Sequence, residues 1–240
     1  MPFLLLIFAL PLSAMEIKGV STIQKTAFIF YKMTGLTPDY DRWVESMTKR
    51  EVGKYGELGK REYLLDLRMR LESQFEMTNP DRETLVISHP AILEAVPVDR
   101  DNPDQRYINI YFEESPPFFS KRLPDRNIQI IVPDLEEKLN MFISGEEYER
   151  MSSLFYDGIK DKNLVTLKLM LKPVAADADK PIEKDNTNFY LFLTELQDFE
   201  IYNEIARDRV WPLPELQPTP EEIKEQEDKE MLDDFMNKYK

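Results

Sequence analysis

The spacing of hydrophobic residues changes near residue 80. Before that point, apolar residues recur every three or four positions, which is the period of one helix face. Two such runs extend from Ile17 to Tyr31 and from Leu64 to Phe75. After Asp81, apolar and polar residues alternate, which is the period of a strand with one buried face. The chain therefore predicts helices first and a sheet afterwards.

Glycine and proline mark the ends of the predicted helices. Gly35 ends the first helix, and Pro38 opens the second directly after a threonine that can cap it. Glycines at positions 53, 56 and 59 predict a joint before a longer helix, which starts near Leu58 and stops at Pro80. These glycines do not form a phosphate-binding loop, because the Gly-Lys-Ser/Thr ending and a preceding strand are both missing.

Five alternating runs predict the strands of the sheet. They cover 85–87, 108–112, 128–132, 165–171 and 189–193, and the last run resumes at 199–201. One apolar and one more polar face per strand is typical of an antiparallel sheet. A helix from Ser144 to Phe155 interrupts the series. The expected fold is α+β, in which N-terminal helices pack on a mostly antiparallel sheet of about five strands with one inserted helix.

The end of the chain differs in composition from the rest. Residues 212–220 are rich in proline, which favours an extended linker. Thr219 and Glu222 can then form a capping box, and an acidic amphipathic helix is expected over 221–240. Its apolar residues make a narrow stripe: Ile223, Met231, Leu232, Phe235, Met236 and Tyr239. The α+β domain is accordingly expected over 15–211.

The first fourteen residues, from Met1 to Ala14, are apolar and uncharged. The run is shorter than the ~20 residues of a lasting membrane span. Its length, the helix-breaking Pro11 and the small residues at its end fit the apolar region and cleavage site of a secretory signal peptide. Basic residues do not precede it, so an N-terminal strand or helix buried in the core is the alternative. The signal-peptide interpretation predicts export, with no membrane span in the mature chain.

Composition limits the chemistry and the compartment. The net charge of −14 argues against nucleic acid as a partner, because an acidic surface repels phosphates. Without cysteine the chain has no disulfide and no thiolate metal site, and its single histidine, His89, excludes histidine-based zinc sites. An exported chain without disulfides fits a bacterial periplasm or exterior. We expect no cofactor and no bound metal.

Two stretches are candidate contacts for a partner. Residues 115–117 lead into Phe118 and Phe119, in a loop stiffened by two prolines. These rings either meet a partner or pack in the core. The second stretch is the stripe of the C-terminal helix, where Met231 and Phe235 are the predicted contacts.

Acidic residues offer further alternatives. Glu113 and Glu114 follow a strand beside aromatic residues, which resembles a carboxylate-dependent glycan hydrolase in outline, but neighbours on a strand point to opposite faces. The loop 99–104 alternates oxygen ligands that suit Ca²⁺, yet it departs from the EF-hand pattern. Asp177 and Asp179 form a smaller pair of the same kind. Solvated turns are the alternative for both loops.

These features together predict a non-enzymatic protein. The chain is interpreted as an exported cell-envelope protein that binds a protein or ligand through the Phe118 loop or the C-terminal helix. The alternative is a hydrolase that uses carboxylates alone on an envelope glycan. A deep cleft with two acids at a suitable spacing would favour the hydrolase, and a filled core would favour binding.

Overall fold

The computed structural model describes residues 21–48, 57–98, 105–114, 117, 119–160 and 162–214. The segment 1–14, the loop 99–104, Phe118, most of the proline-rich linker and the helix expected over 221–240 lie outside these residues. The predictions made for them stay predictions.

Five α-helices lie in the described part of the chain. They are α1 (Thr22–Thr34), α2 (Tyr40–Thr48), α3 (Glu57–Met77), α4 (Leu135–Leu139) and α5 (Gly145–Ser153). The first begins at a capping box, in which the Gln24 amide donates to the Ser21 hydroxyl at 3.2 Å. It ends at Gly35, whose φ of 69° is the left-handed conformation that favours glycine. None of these described helices is both long and apolar enough to cross a bilayer.

Eight strands of the described residues form one mixed sheet. They are β1 (Leu85–Pro97), β2 (Gln105–Tyr111), β3 (Phe119–Arg122), β4 (Asn127–Ile131), β5 (Met141–Ser144), β6 (Asn163–Lys184), β7 (Thr187–Asn203) and β8 (Arg209–Trp211). The order across the sheet is β3-β4-β7-β6-β1-β2-β5, and β8 pairs with the end of β7. The pairing of β4 with β7 is parallel and sets Asn127 opposite Phe189.

The predicted fold, N-terminal helices on a mostly antiparallel sheet of five strands, is wrong. The structure has eight strands, one parallel pair and more strand than helix, and strands supply most of the buried apolar residues. The strands missed from the sequence are β3, β5 and β8, which have only three or four residues each. Such short strands do not complete enough alternations for the pattern to be recognised.

The chain divides into two compact units, which are described separately. The first consists of the described residues of Met1–Ser88, Phe112–Lys138 and Leu169–Phe199, and the second of those of His89–Tyr111, Leu139–Lys168 and Glu200–Lys240. The first unit therefore contains α1 to α3, α4 except for its last residue, β3 and β4. The second contains α5, β2, β5 and β8.

An aromatic cluster holds the helices of the first unit together. The Phe28 ring lies 5.8 Å from the Trp43 ring of α2 and 5.7 Å from the Phe75 ring of α3. Phe30, on the same helix as Phe28, meets Phe192 of β7 edge-to-face at 5.8 Å. Because α1 contributes to both contacts, it connects α2 and α3 to the sheet of this unit.

β6 and β7 form a long hairpin, and its part from Leu169 to Phe199 belongs to the first unit. Its turn residues Asp185 and Asn186 have φ of 52° and 57°, as a tight two-residue hairpin turn requires. β6 has 22 residues and its other neighbour β1 has 13, so at least nine residues of β6 have no partner on that side. β6 also carries Pro173 and Pro181, and Asp177 accepts hydrogen bonds from two backbone amides further along the strand.

Candidate functional site

A groove of about 650 Å³ lies between α2 and α3 in the first unit. Its described lining is Asp41, Val44, Glu45, Thr48, Lys60, Arg61, Leu64, Leu65 and Arg68. These positions recur at spacings of three and four on each helix, so each helix presents one face to the groove. The volume lies within the range of roughly 300–1,000 Å³ that is usual for ligand sites.

The groove lies beside the part of α3 that is least buried. Near its C-terminal end, α3 buries Leu71 and Phe75. Towards its N-terminal end, Leu64 is half-buried and Leu65 is 59% exposed. Met69 continues the exposed apolar positions one turn further on, at 60% exposure. Apolar surface that helix packing would normally cover is therefore open to solvent beside the groove.

One of the three cations that line the groove forms ion pairs with described residues, and the other two do not. The Arg68 guanidinium binds Asp41 at 2.6 Å and Glu72 at 2.8 Å, and the hydrogen bond with Glu72 is the main cause of its raised pKa. Lys60 and Arg61, by contrast, form no ion pair with any residue that the structure describes. The groove therefore presents two available cations next to an exposed leucine.

The groove has few groups suited to catalysis. Its two carboxylates, Asp41 and Glu45, lie one helical turn apart on α2. The Asp41 side chain is 80% exposed and bound to Arg68. The Thr48 hydroxyl donates to the Val44 carbonyl at 2.8 Å and is not activated by a neighbouring base in the described groove. Among the described residues of the groove, the hydroxyl and the paired carboxylate are thus engaged in hydrogen bonds of their own.

A second polar cluster lies on strands of the second unit. Lys168 binds the Glu200 carboxylate at 2.7 Å, the Tyr202 hydroxyl donates to it at 2.9 Å, and Arg209 lies 3.6 Å from it. The hydrogen bond from Lys168 lowers the pKa of Glu200 below its ordinary value of 4.5, and the same bond raises the pKa of Lys168. Hydrogen bonding to Glu200 also raises the pKa of Tyr202, so this phenol is not an activated nucleophile.

Replacing Glu200 with glutamine is expected to destabilise the protein by about 1 kcal/mol at pH 7, because a partly solvated ion pair is weak and the Lys168 side chain is 38% exposed. A lowered carboxylate pKa contributes stability that is present above pH 4.5 and lost as the pH falls through the folded-state value. The difference between wild type and Glu200→Gln should therefore shrink below pH 4.5, as measured by urea unfolding over pH 3–7. If the stability difference between wild type and Glu200→Gln stayed constant from pH 3 to pH 7, the stabilising role of the charged Glu200 carboxylate would be contradicted.

A third cluster is buried in the first unit. The Asp125 carboxylate, in the turn between β3 and β4, accepts hydrogen bonds from the Tyr31 hydroxyl and from the Trp43 indole nitrogen, the latter at 3.3 Å. Burial, and then Asp125, raise the pKa of Tyr31 far above its ordinary value. Arg126 stacks on the Tyr31 and Tyr190 rings at 4.8 and 5.2 Å, and its Nε has no acceptor among the described residues. The cluster joins α1 and α2 to the hairpin of β3 and β4.

The predicted contact residues fall in different places. Phe119 is 3% exposed and packs against Phe112 at a ring distance of 5.8 Å, so it belongs to the core of the first unit. For Phe119 alone, this is the second of the two alternatives, packing in the core. Phe118, Met231 and Phe235 lie outside the described residues, and nothing in the structure tests them.

The acidic candidates are dispersed. Glu113 and Glu114 follow the end of β2 and are exposed, and Glu114 lies 3.7 Å from Lys184. Asp177 accepts hydrogen bonds from the amides of Asp179 and Lys180 at 2.8 and 3.1 Å, which lowers its pKa. The calcium-like loop 99–104 lies outside the described residues.

Because proline follows His89, this residue would be expected to end a strand or to enter a turn, and the structure shows neither. His89 lies inside β1, which continues through Pro90 as far as Pro97. The pairing of β1 with β2 starts only at Ile92, so Pro90 lies beyond that ladder and need not donate to it.

Comparison with known proteins assigns no relative: no family model matches the chain, and no curated protein and no solved structure is significantly similar to it. The described residues define a strand-dominated mixed-sheet protein with a groove between two helices. Its function is therefore inferred from the groove itself.

Proposed function

We propose that this protein is an exported, non-enzymatic protein of the cell envelope that binds a protein partner through the groove between α2 and α3. The observation that carries the proposal is the combination of exposed apolar side chains with two available cations in one groove. Leu65 supplies the apolar contact, and Lys60 and Arg61 supply the charge.

The chemistry of the groove indicates the kind of segment that it would accept. Two antiparallel or crossing helices offer a groove that an amphipathic helix can enter with its apolar face. Lys60 and Arg61 favour acidic residues flanking that face. The partner segment is therefore an amphipathic helix with an acidic edge, and Leu65 contacts its apolar residues.

Site-specific cross-linking would test the groove. A photoreactive amino acid at Leu65 should cross-link one envelope protein in the source cells, whereas the same amino acid at Met77, equally exposed on α3, should not. Charge reversal by Lys60→Glu and Arg61→Glu together should abolish the cross-link, because it repels the acidic edge. Arg82→Glu, an exposed cation outside the groove, is the matched control and should have no effect. Equal cross-linking from both positions would contradict the proposed site.

The hydrolase alternative has one observation in its favour, the presence of Asp41 and Glu45 in the same groove. Glycan and ester substrates should show no turnover with the wild type. A wild-type activity that Asp41→Asn or Glu45→Gln removed, with the thermal transition unchanged, would replace the binding proposal with hydrolysis.

Export is tested by the mature N-terminus. The apolar run and the small residues Ser13 and Ala14 support cleavage near Ala14. Sequencing the protein from the envelope fraction of its source cells should give a start close to Met15. Intact Met1 on protein in the cytosolic fraction would contradict export, but it would leave the groove proposal to be judged by cross-linking alone.

A further inference from the structure

Three strands of the second unit place apolar side chains in one row. The backbone register sets Val96 of β1 opposite Tyr107 of β2, and Tyr107 opposite Phe142 of β5. Val96 is 41% exposed and Phe142 is 67% exposed, and the Tyr107 and Phe142 rings lie 5.0 Å apart. Val98, just beyond β1, is 44% exposed. We call Val96, Tyr107, Phe142 and Val98 the apolar row.

The apolar row lies on the sheet face that α5 leaves open. Arg106, which precedes Tyr107 and so points to the opposite face, stacks on Tyr148 of α5 at 5.1 Å. Ile143, which precedes Ser144 and follows Phe142, is buried on that same opposite face. The face covered by α5 is thus closed, whereas the apolar row ends at β5, the edge strand, and is open to solvent.

The end of the described chain is held close to that edge. Arg150 of α5 donates a hydrogen bond to the Pro214 carbonyl at 2.8 Å. Twenty-six residues follow, 215–240. The six residues 215–220 span about 19 Å if extended as polyproline, at roughly 3.1 Å per residue. This exceeds the ~10 Å between packed layers, so the chain can pass around β5 to the open face.

The stripe of the expected C-terminal helix matches the apolar row in length and chemistry. From Met231 to Tyr239 it covers about 12 Å of helix at 1.5 Å per residue, and the row crosses two strand spacings, or about 10 Å. The stripe offers methionine, leucine and aromatic side chains to valine, tyrosine and phenylalanine. We propose that residues 221–240 dock as a helix on the apolar row of their own chain, and that Phe235 packs against Phe142.

Cross-linking of the full-length chain tests this docking, since the chain has no cysteine of its own. Val98→Cys combined with Asn237→Cys places one thiol in the apolar row, just beyond the end of β1, and one on the helix. Tyr156→Cys combined with Asn237→Cys is the control, because Tyr156 belongs to the same unit and is 95% exposed outside the row. With a short bis-maleimide at low protein concentration, the first pair should give about fivefold more cross-linked monomer than the control, because docking raises the local concentration of the second thiol.

Two further variants show whether the named contact holds the helix. Phe235→Asp and, separately, Phe142→Asp should each reduce the monomer cross-link to the control yield, whereas Ile205→Asp, at a side chain 90% exposed outside the row, should leave it unchanged. Phe235→Asp changes no side chain of the described core. The result with Phe235→Asp can therefore be interpreted even if Phe142→Asp disturbs folding. Equal yields from the two pairs, cross-linked dimers in place of monomers, or an undiminished yield with Phe235→Asp would each overturn the proposal.

Discussion

Replacing Asp125 with alanine is expected to lower the free energy of unfolding by about 3–5 kcal/mol, the range for removing one partner of a buried charge pair. The Asp125 side chain is 8% exposed and accepts hydrogen bonds from Tyr31 and Trp43 beside Arg126. Alanine would leave both donors without an acceptor and a guanidinium without its counter-charge. Urea unfolding followed by circular dichroism measures the loss.

Two milder changes at the same place give the matched controls. Asp125→Asn keeps an acceptor oxygen and the side-chain shape, so its loss should be smaller than that of alanine. Tyr31→Phe removes a single donor and should cost about 1–2 kcal/mol. A loss below about 1 kcal/mol for Asp125→Ala would mean that the cluster does not hold α1 and α2 to the hairpin of β3 and β4.

Replacing Phe192 with alanine is also expected to cost about 3–5 kcal/mol, the range for removing a buried aromatic ring. Phe192 is fully buried and meets Phe30 edge-to-face, with 73° between the rings. The change would leave a cavity between α1 and β7 that neighbouring side chains can only partly fill. Thermal and urea unfolding measure the loss.

Two control variants accompany Phe192→Ala: a conservative change at the same position and a change at an exposed residue. Phe192→Leu keeps most of the volume and should cost no more than about 1.5 kcal/mol. Ile205→Ala, at a side chain 90% exposed, should change stability by less than about 0.5 kcal/mol. A loss below about 1.5 kcal/mol for alanine, similar to that for leucine, would show that packing against Phe30 contributes little.

The sequence predicts the long strands because burial alternates along them. Ile108 and Ile110 of β2, and Ile128 and Ile130 of β4, are all fully buried, as their period of two requires. A period of two indicates which face of a strand is buried. It does not indicate which strand lies next to it in the sheet. The parallel pairing of β4 with β7 joins Asn127 to Phe189, far apart in the chain, so the mixed character of the sheet was not predictable from local alternation.

The groove between α2 and α3 was not predicted from the sequence, for a related reason. The helical pattern identified Leu64, Leu71 and Phe75 as one face of α3, and the structure buries the last two. Leu65 and Met69 fall outside that face, and this apolar pair one turn apart was the signal for an open surface. The Asp125 cluster had no comparable signal, because Tyr31 and Asp125 are 94 positions apart and meet only in the folded protein.

The length of β6 that has no partner beside β1 is a place where a strand of a second chain could pair. A bare strand edge offers a regular series of amide donors, on which a second chain can grow as an aggregate. Pro173 and Pro181 have no amide hydrogen, and Asp177 engages the amides of Asp179 and Lys180 internally. An incoming strand would therefore find an interrupted series of donors, so we expect the hairpin to be a poor template for fibril growth.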